Sequence, residues 1–278
     1  SLDVLFRFPT VRRLALELEY NLADKKLFFP FSLAEGNSKG TIFFVPPMIG
    51  SVTIYHGLAR RLSAASHDCY ALQYKASLLV PYYMMAIANH QAGLNSTPFA
   101  YEKEIENSIP AMAKSLLADV LATAGGKEIT IIGYSLGGLV AFELARLLEK
   151  EDRSVRLMIM DYSVEKNEKV TDIESLQEFF EVELVKAGIK LEPAAFGMIS
   201  ELYTKYLKRI RPYKVSGVVR SPVLAIEAVN KHHHTDMMRW AKHTAQFDGV
   251  EYVPSEHTAL LEHLDLLTPI LTKWLDEK

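Results

Sequence analysis

The sequence predicts an α/β protein with a mostly parallel central sheet and helices on both faces. Three observations lead there. From Gly40 onward, short β-rich apolar runs alternate with stretches of helical periodicity, the pattern of strands joined through helical crossovers. The chain has 278 residues, 49% hydrophobic and 23% charged, with mean hydropathy +0.04. This balance excludes a mostly disordered chain, and at this length roughly 75% of the unfolded surface is buried on folding. Between Met160 and Pro222 the alternation stops and two helical stripes replace it, which predicts an insertion packed on the sheet.

Each element has its own reason. Leu5-Phe6-Arg7-Phe8-Pro9-Thr10 precedes Val11, Leu14, Ala15 and Leu18, so Thr10 is placed to cap a short helix. Residues 1–20 read as a unit apart. Residues 21–39, with Pro30, Gly36, Asn37 and Ser38, read as a linker, and the main domain is expected over 40–278. Thr41 to Val45 is a strand ended by Pro46-Pro47. Tyr55, Leu58, Ala59 and Leu62 form a helical stripe, and Cys69 to Tyr74 is the next strand. Ile105, Ile109, Met112, Leu116 and Val120 mark a helix. Glu128 to Ile132 is a strand, followed by a helix carrying Val140, Leu144, Leu147 and Leu148. Val155 to Met160 and Pro222 to Ala228 are strands, Val250 to Val253 is strand-like, and a last helix runs roughly from Leu264 to Leu275. The inserted stripes are Ile173, Leu176, Phe180, Leu184 and then Phe196, Ile199, Tyr203, Tyr206, Ile210. They are expected to form a lid over about residues 165–217, the plainer alternative being extra helical packing.

Composition narrows the function classes. The net charge of −3 lacks the basic excess of a nucleic-acid protein. A lone cysteine, Cys69, excludes an internal disulfide framework and a multi-cysteine zinc site, and fits a reducing, cytoplasmic location. The longest apolar run, Leu78 to Ala88, is broken by Pro81 and falls short of the ~20 residues that span a bilayer. It reads as interior packing or a pocket wall, with a docking patch as the alternative. The start, Ser1-Leu2-Asp3-Val4, has neither an initiator methionine nor the basic opening of a signal peptide, and suggests a piece of something longer.

The most specific signal is Gly133-Tyr134-Ser135-Leu136-Gly137-Gly138, between a predicted strand and a predicted helix. That context is the one required of a G-x-S-x-G nucleophile elbow. A sharp turn strains the serine backbone, small neighbours relieve the clash, and Oγ stands exposed beside a helix N-terminus that favours the anion of acyl transfer. A serine hydroxyl needs a base, and the base needs an orienting carboxylate, in the chain order Ser, acid, His. His257, in the polar segment Pro254-Ser255-Glu256-His257-Thr258, is the leading base, with His263 second. His232-His233-His234 point in different directions and read as a solvated loop rather than a metal cluster, and His243 as a packing or surface residue. The acid is Asp161, directly after a strand, or Asp236, after the later strand. Asp161 is favoured because a strand end holds a carboxylate rigidly. The oxyanion needs two backbone donors. One is expected at Leu136. The other is expected in the loop after the first strand, where Pro46 and Pro47 have no N–H and Met48 is the first available donor.

With these motifs in view, the chain resembles the thioesterase domains that end non-ribosomal peptide and polyketide synthetases. The resemblance is carried by Phe43-Phe44-Val45-Pro46-Pro47-Met48-Ile49-Gly50 with Tyr55 and Leu58-Ala59, by the Ser135 motif with Ala141-Phe142-Glu143, by Met160-Asp161, and by Glu256-His257-Thr258 with Leu260-Leu261. Residues 5–18 resemble the closing segment of a carrier domain. Pro46 and Ile49 depart from the His and first Gly that many members have in the oxyanion loop. The resemblance implies an α/β-hydrolase fold with a helical lid. It implies a serine thioesterase with Ser135, Asp161 and His257 as its catalytic residues and no cofactor of its own. Its substrate is an acyl or peptidyl chain delivered on the 4'-phosphopantetheine of an upstream carrier domain, released as an acid or a ring. No nucleic acid or membrane partner is implied. The rival readings are a general serine esterase or lipase, a stand-alone editing thioesterase, and a non-catalytic binding module on the same fold.

Overall fold

A computed structural model of the chain describes residues 28–32, 38–47, 52–74, 106–164, 210, 212–230 and 236–277. The strands are β1 (Phe28–Ser32), β2 (Gly40–Val45), β3 (His67–Leu72), β4 (Ile129–Tyr134), β5 (Val155–Met160), β6 (Val219–Ala228) and β7 (Thr244–Val253). The α-helices are α1 (His56–Ala64), α2 (Ile109–Ala124), α3 (Gly137–Lys150) and α4 (Leu264–Asp276). Short 3-10 helices cover Val52–Tyr55, Met237–His243 and His257–Glu262.

The strands form one sheet in the order β1-β3-β2-β4-β5-β6-β7. β1 runs antiparallel to β3, and every other pairing is parallel. The expected α/β-hydrolase type of fold, with its mostly parallel sheet, is therefore present. Successive strands first move one way from β2, to β3, and then the other way, to β4. The carboxyl ends of β2 and β4 thus flank the switch point where open parallel sheets build their sites.

Alternation along the strands explains the two-sided cover. Phe43, Val45, Ile129, Ile131, Leu157 and Ile159 pack with α2 and α3 on one face. Ile42, Phe44, Ile132, Met158 and Met160 pack with α1 and α4 on the other. Burying a side chain of this size stabilises the fold by about 1.5–3 kcal/mol. The helical stripes land as their spacing predicts: Leu58, Ala59 and Leu62 of α1 and Met112, Leu116 and Val120 of α2 are fully buried. α2 starts at Ile109 because Ser108 accepts the Ala111 N–H and Pro110 occupies the first turn.

Several boundaries differ from the sequence reading. Residues 28–32, read as part of a linker, form the edge strand β1. Pro30 cannot donate to a ladder and is tolerated at an edge, where the register shifts between Pro30 and Ser32. β4 continues through Gly133 and Tyr134, which pair with Ile159 and Met160. β6 begins three residues before Pro222, and β7 six residues before Val250. The segment at residues 1–20, the apolar stretch 78–99 and the inserted stripes over residues 165–209 lie outside the described residues. No helix among the described residues is long and apolar enough to cross a membrane.

Candidate active site

Ser135 follows the last residue of β4 with φ +54°, a left-handed conformation that strains a residue carrying a Cβ by about 1–3 kcal/mol. The surrounding backbone holds it there. Its N–H donates to Met160 O (2.9 Å), and its carbonyl accepts from Gly138 N–H (2.8 Å) as α3 begins. The flanking glycines are required by close approach. A Cβ at Gly133 would lie 2.5 Å from Gly137 O, and one at Gly137 would lie 2.5 Å from Pro46 O. Both are closer than packed atoms tolerate, so the elbow can approach β2 and α3 this tightly only with hydrogen at those positions.

Asp161 occupies the corresponding position after β5, also at positive φ (+53°), which aspartate tolerates better than most residues. Its N–H donates to Ile226 O (2.7 Å), and its Oδ1 accepts the Ala228 N–H (3.1 Å). β6 therefore holds both the main chain and the carboxylate of Asp161. Its Oδ2 lies 2.7 Å from His257 Nδ1, and the carboxylate is fully buried while the imidazole is 26% exposed. His257 Nε2 lies 3.1 Å from Ser135 Oγ. An ionised carboxylate only accepts, so Nδ1 carries the proton and the Nε2 lone pair faces the serine hydroxyl. That is the arrangement in which an imidazole can take a proton from a serine nucleophile.

The alternative residues stand elsewhere. Asp236 pairs with Arg239 at 2.7 Å, while His257 Nδ1 is engaged by Asp161. His263 joins the last 3-10 turn to α4, its carbonyl accepting from the Leu266 and Leu267 N–H groups. His243 contacts the Gly217 carbonyl at 3.1 Å and meets Phe142 edge-on. Leu136, directly after the serine, is the buried residue that precedes α3. Met48 and His232-His233-His234 lie outside the described residues. Among the described residues no group of three His, Cys, Asp or Glu side chains could hold a metal ion. Burial pushes the Cys69 thiol up to about 12, which makes it a poor nucleophile at neutral pH.

The sequence reading missed three tyrosines. The Tyr55 hydroxyl donates to Val45 O (2.8 Å) and accepts the Tyr134 N–H (3.0 Å). The Tyr74 hydroxyl donates to Pro46 O (3.0 Å). Burial raises both phenols well above their ordinary value, so they remain donors. Tyr134 itself contacts His257. Tyr55 was legible as a helix-stripe residue; its polar role follows because a buried phenol needs a hydrogen-bond partner.

A family model described as "Thioesterase domain" matches residues 78–275, more than half of the chain. No curated protein matches the chain. Among solved structures it is similar to SrfTE, the thioesterase domain that cyclises the lipopeptide antibiotic surfactin. There the TM-score is 0.60 at 16% identity over 91% of this chain and 97% of that one. It is similar to BorB, a type II thioesterase from the borrelidin biosynthetic cluster, with TM-score 0.63 at 20% identity over 90% of this chain and 97% of that one. It is also similar to AB3403, a four-domain nonribosomal peptide synthetase, with TM-score 0.61 at 14% identity over 100% of this chain and 22% of that one.

Proposed function

This chain belongs to the thioesterase domain family, and we propose that it releases an acyl or peptidyl chain from the phosphopantetheine thioester of an upstream carrier domain through an acyl-Ser135 intermediate. The observation that carries the proposal is the unbroken line from Asp161 Oδ2 through His257 to Ser135 Oγ, at 2.7 and 3.1 Å.

In this reading the carrier presents its thioester carbonyl to Ser135. His257 Nε2 takes the hydroxyl proton as Oγ bonds to the carbonyl carbon. The tetrahedral oxyanion is stabilised by the backbone N–H groups of Leu136 and Met48, and loss of one such donor typically costs ~10²–10³ in rate. Asp161 keeps the imidazole in the tautomer that accepts and stabilises the imidazolium that forms. The C–S bond then breaks, the proton on Nε2 passes to the pantetheine sulfur, and the acyl group remains as an ester on Oγ. In the second half, His257 removes a proton from water or from an internal hydroxyl or amine of the chain. Attack on the ester returns Ser135 and gives a free acid, lactone or lactam. The domain needs no cofactor of its own for either half, and the pantetheine arm arrives with the substrate.

The carrier enters the proposal through residues 5–18, whose sequence resembles the end of a carrier domain. Residues 1–20 are assigned to that remnant, 21–39 to the connection, and 40–278 to the thioesterase domain with its lid at about 165–217. A cytoplasmic setting, where synthetases with reduced pantetheine thiols operate, fits the same reading.

The test is intact mass after incubation with octanoyl N-acetylcysteamine thioester and with an octanoyl carrier domain. The wild-type chain gains one octanoyl group, lost in Ser135→Ala, and the carrier-bound thioester is turned over faster than an aryl octanoate. Full-rate release by Ser135→Ala would refute the acyl-serine route. Preference for the aryl ester would favour a general esterase.

A further inference from the structure

We propose that Tyr134 is a positioning residue that holds His257 in line with Ser135; the inference rests on the acyl-serine reading above. Tyr134 ends β4, one peptide bond before the nucleophile. Its hydroxyl donates to the main-chain carbonyl of His257, and its ring stacks on the imidazole with centroids 5.0 Å apart and planes 28° from parallel. One side chain thus grips both the backbone and the ring face of a residue 123 positions downstream. Its own N–H is tied to Tyr55 Oη, which in turn donates to Val45 O. Tyr134 is 7% exposed and Tyr55 is fully buried, so the grip is anchored in the packed centre of the sheet.

The geometry explains why such a hold is needed. His257 opens a 3-10 turn after β7, the last strand of the sheet, whereas Ser135 and Asp161 directly follow the central strands β4 and β5. The Asp161 bond at Nδ1 sets the tautomer, and a pivot of the ring about that contact would carry Nε2 away from Oγ. Stacking limits the tilt of the ring, and the hydroxyl fixes the main chain from which the ring hangs. A buried phenol needs some acceptor; the acceptor used here belongs to the residue whose placement the chemistry requires. A displacement of about 1 Å at such a contact is worth up to ~10²-fold in rate.

The experiment compares wild type, Ser135→Ala, Tyr134→Phe and Tyr134→Leu. It follows the rate of Ser135 labelling by a fluorophosphonate, kcat and KM on octanoyl N-acetylcysteamine thioester, and the thermal midpoint. Tyr134→Phe keeps the ring and loses the tether; we expect labelling and kcat to fall together by about 10-fold with KM unchanged. Tyr134→Leu loses both holds, and the fall reaches about 10²-fold. Tyr134→Phe carries the test alone if the Leu variant does not fold. Wild-type rates in folded Tyr134→Phe, or a loss confined to KM, overturn this inference while leaving the acyl-serine reading intact. Absence of labelling at Ser135 in the wild type overturns that reading, and this inference with it.

Discussion

Replacing Asp161 by asparagine tests the orientation of the imidazole with almost no change in shape. The carboxylate accepts from Ala228 N–H at 3.1 Å and from His257 Nδ1 at 2.7 Å. An amide has one accepting oxygen and one donating nitrogen. If the oxygen stays on Ala228 N–H, the NH₂ faces Nδ1, which must then be unprotonated. The ring proton moves to Nε2, which can no longer accept from Ser135 Oγ. If the amide turns over, the NH₂ opposes the Ala228 N–H in a fully buried place, at a cost of about 1–3 kcal/mol. The first arrangement avoids that cost, so the wrong tautomer dominates. Loss of the correct tautomer lowers turnover by ~10⁴ in a Ser-His-Asp site, which is about 5 kcal/mol at 1.36 kcal/mol per tenfold. Asp236→Asn provides the contrast. Its pair with Arg239 joins side chains 46% and 41% exposed, a class of contact worth ~0–1 kcal/mol, and its loss leaves turnover unchanged. Both variants are assayed for kcat on octanoyl N-acetylcysteamine thioester, with the thermal midpoint as a check on folding. A folded Asp161→Asn within about tenfold of wild type would contradict the tautomer argument. A large loss in Asp236→Asn alone would move the acid to the β6 side.

Two further outcomes follow from the packing and the charge of the fold. Gly137→Ala sets a Cβ 2.5 Å from Pro46 O and 2.7 Å from Val45 O, and Tyr74 and Tyr55 hold those carbonyls in place. Overpacking of about 1–3 kcal/mol lowers the thermal midpoint by roughly 2–4 °C per kcal/mol. Gly126→Ala, with no atom within 4 Å, changes stability by less than about 0.5 kcal/mol, and equal calorimetric midpoints for the two variants would sink the steric account. Burial, aided by Lys39, pushes the His67 imidazole below its ordinary 6.5, and its buried Nδ1 has no hydrogen-bond partner among the described residues. The folded state therefore binds fewer protons than the unfolded one, so stability is full above about pH 6.5 and falls as the pH drops below it. His67→Gln flattens that decline; an unchanged pH dependence of the midpoint between about pH 7 and 5 would show that His67 does not cause it.

Much of this protein is written locally. The apolar spacing of Leu58, Ala59 and Leu62, or of Met112, Leu116 and Val120, reports which face of a helix is buried, because 3.6-residue periodicity is a property of the segment itself. The glycine-serine-glycine turn is legible as a motif, and the clash that selects Gly133 is local, with Gly137 O four residues on, whereas the one that selects Gly137 comes from Pro46 O and Val45 O across the sheet. β1 escaped the reading for the complementary reason. Pro30 speaks against a strand in isolation, and only the position of Phe28–Ser32 at the edge beside β3 makes it acceptable. Between Asp161 and Asp236 the strand-end position already favours Asp161, and the fold supplies the contact itself. Both are aspartates placed after strands, and the spatial order of the strands, with the turn that brings His257 back over β5, sets the Asp161 carboxylate against the imidazole. The grip of Tyr134 on His257 is invisible in sequence, because a side chain states what bonds it can make, and the fold alone supplies the partner 123 residues away.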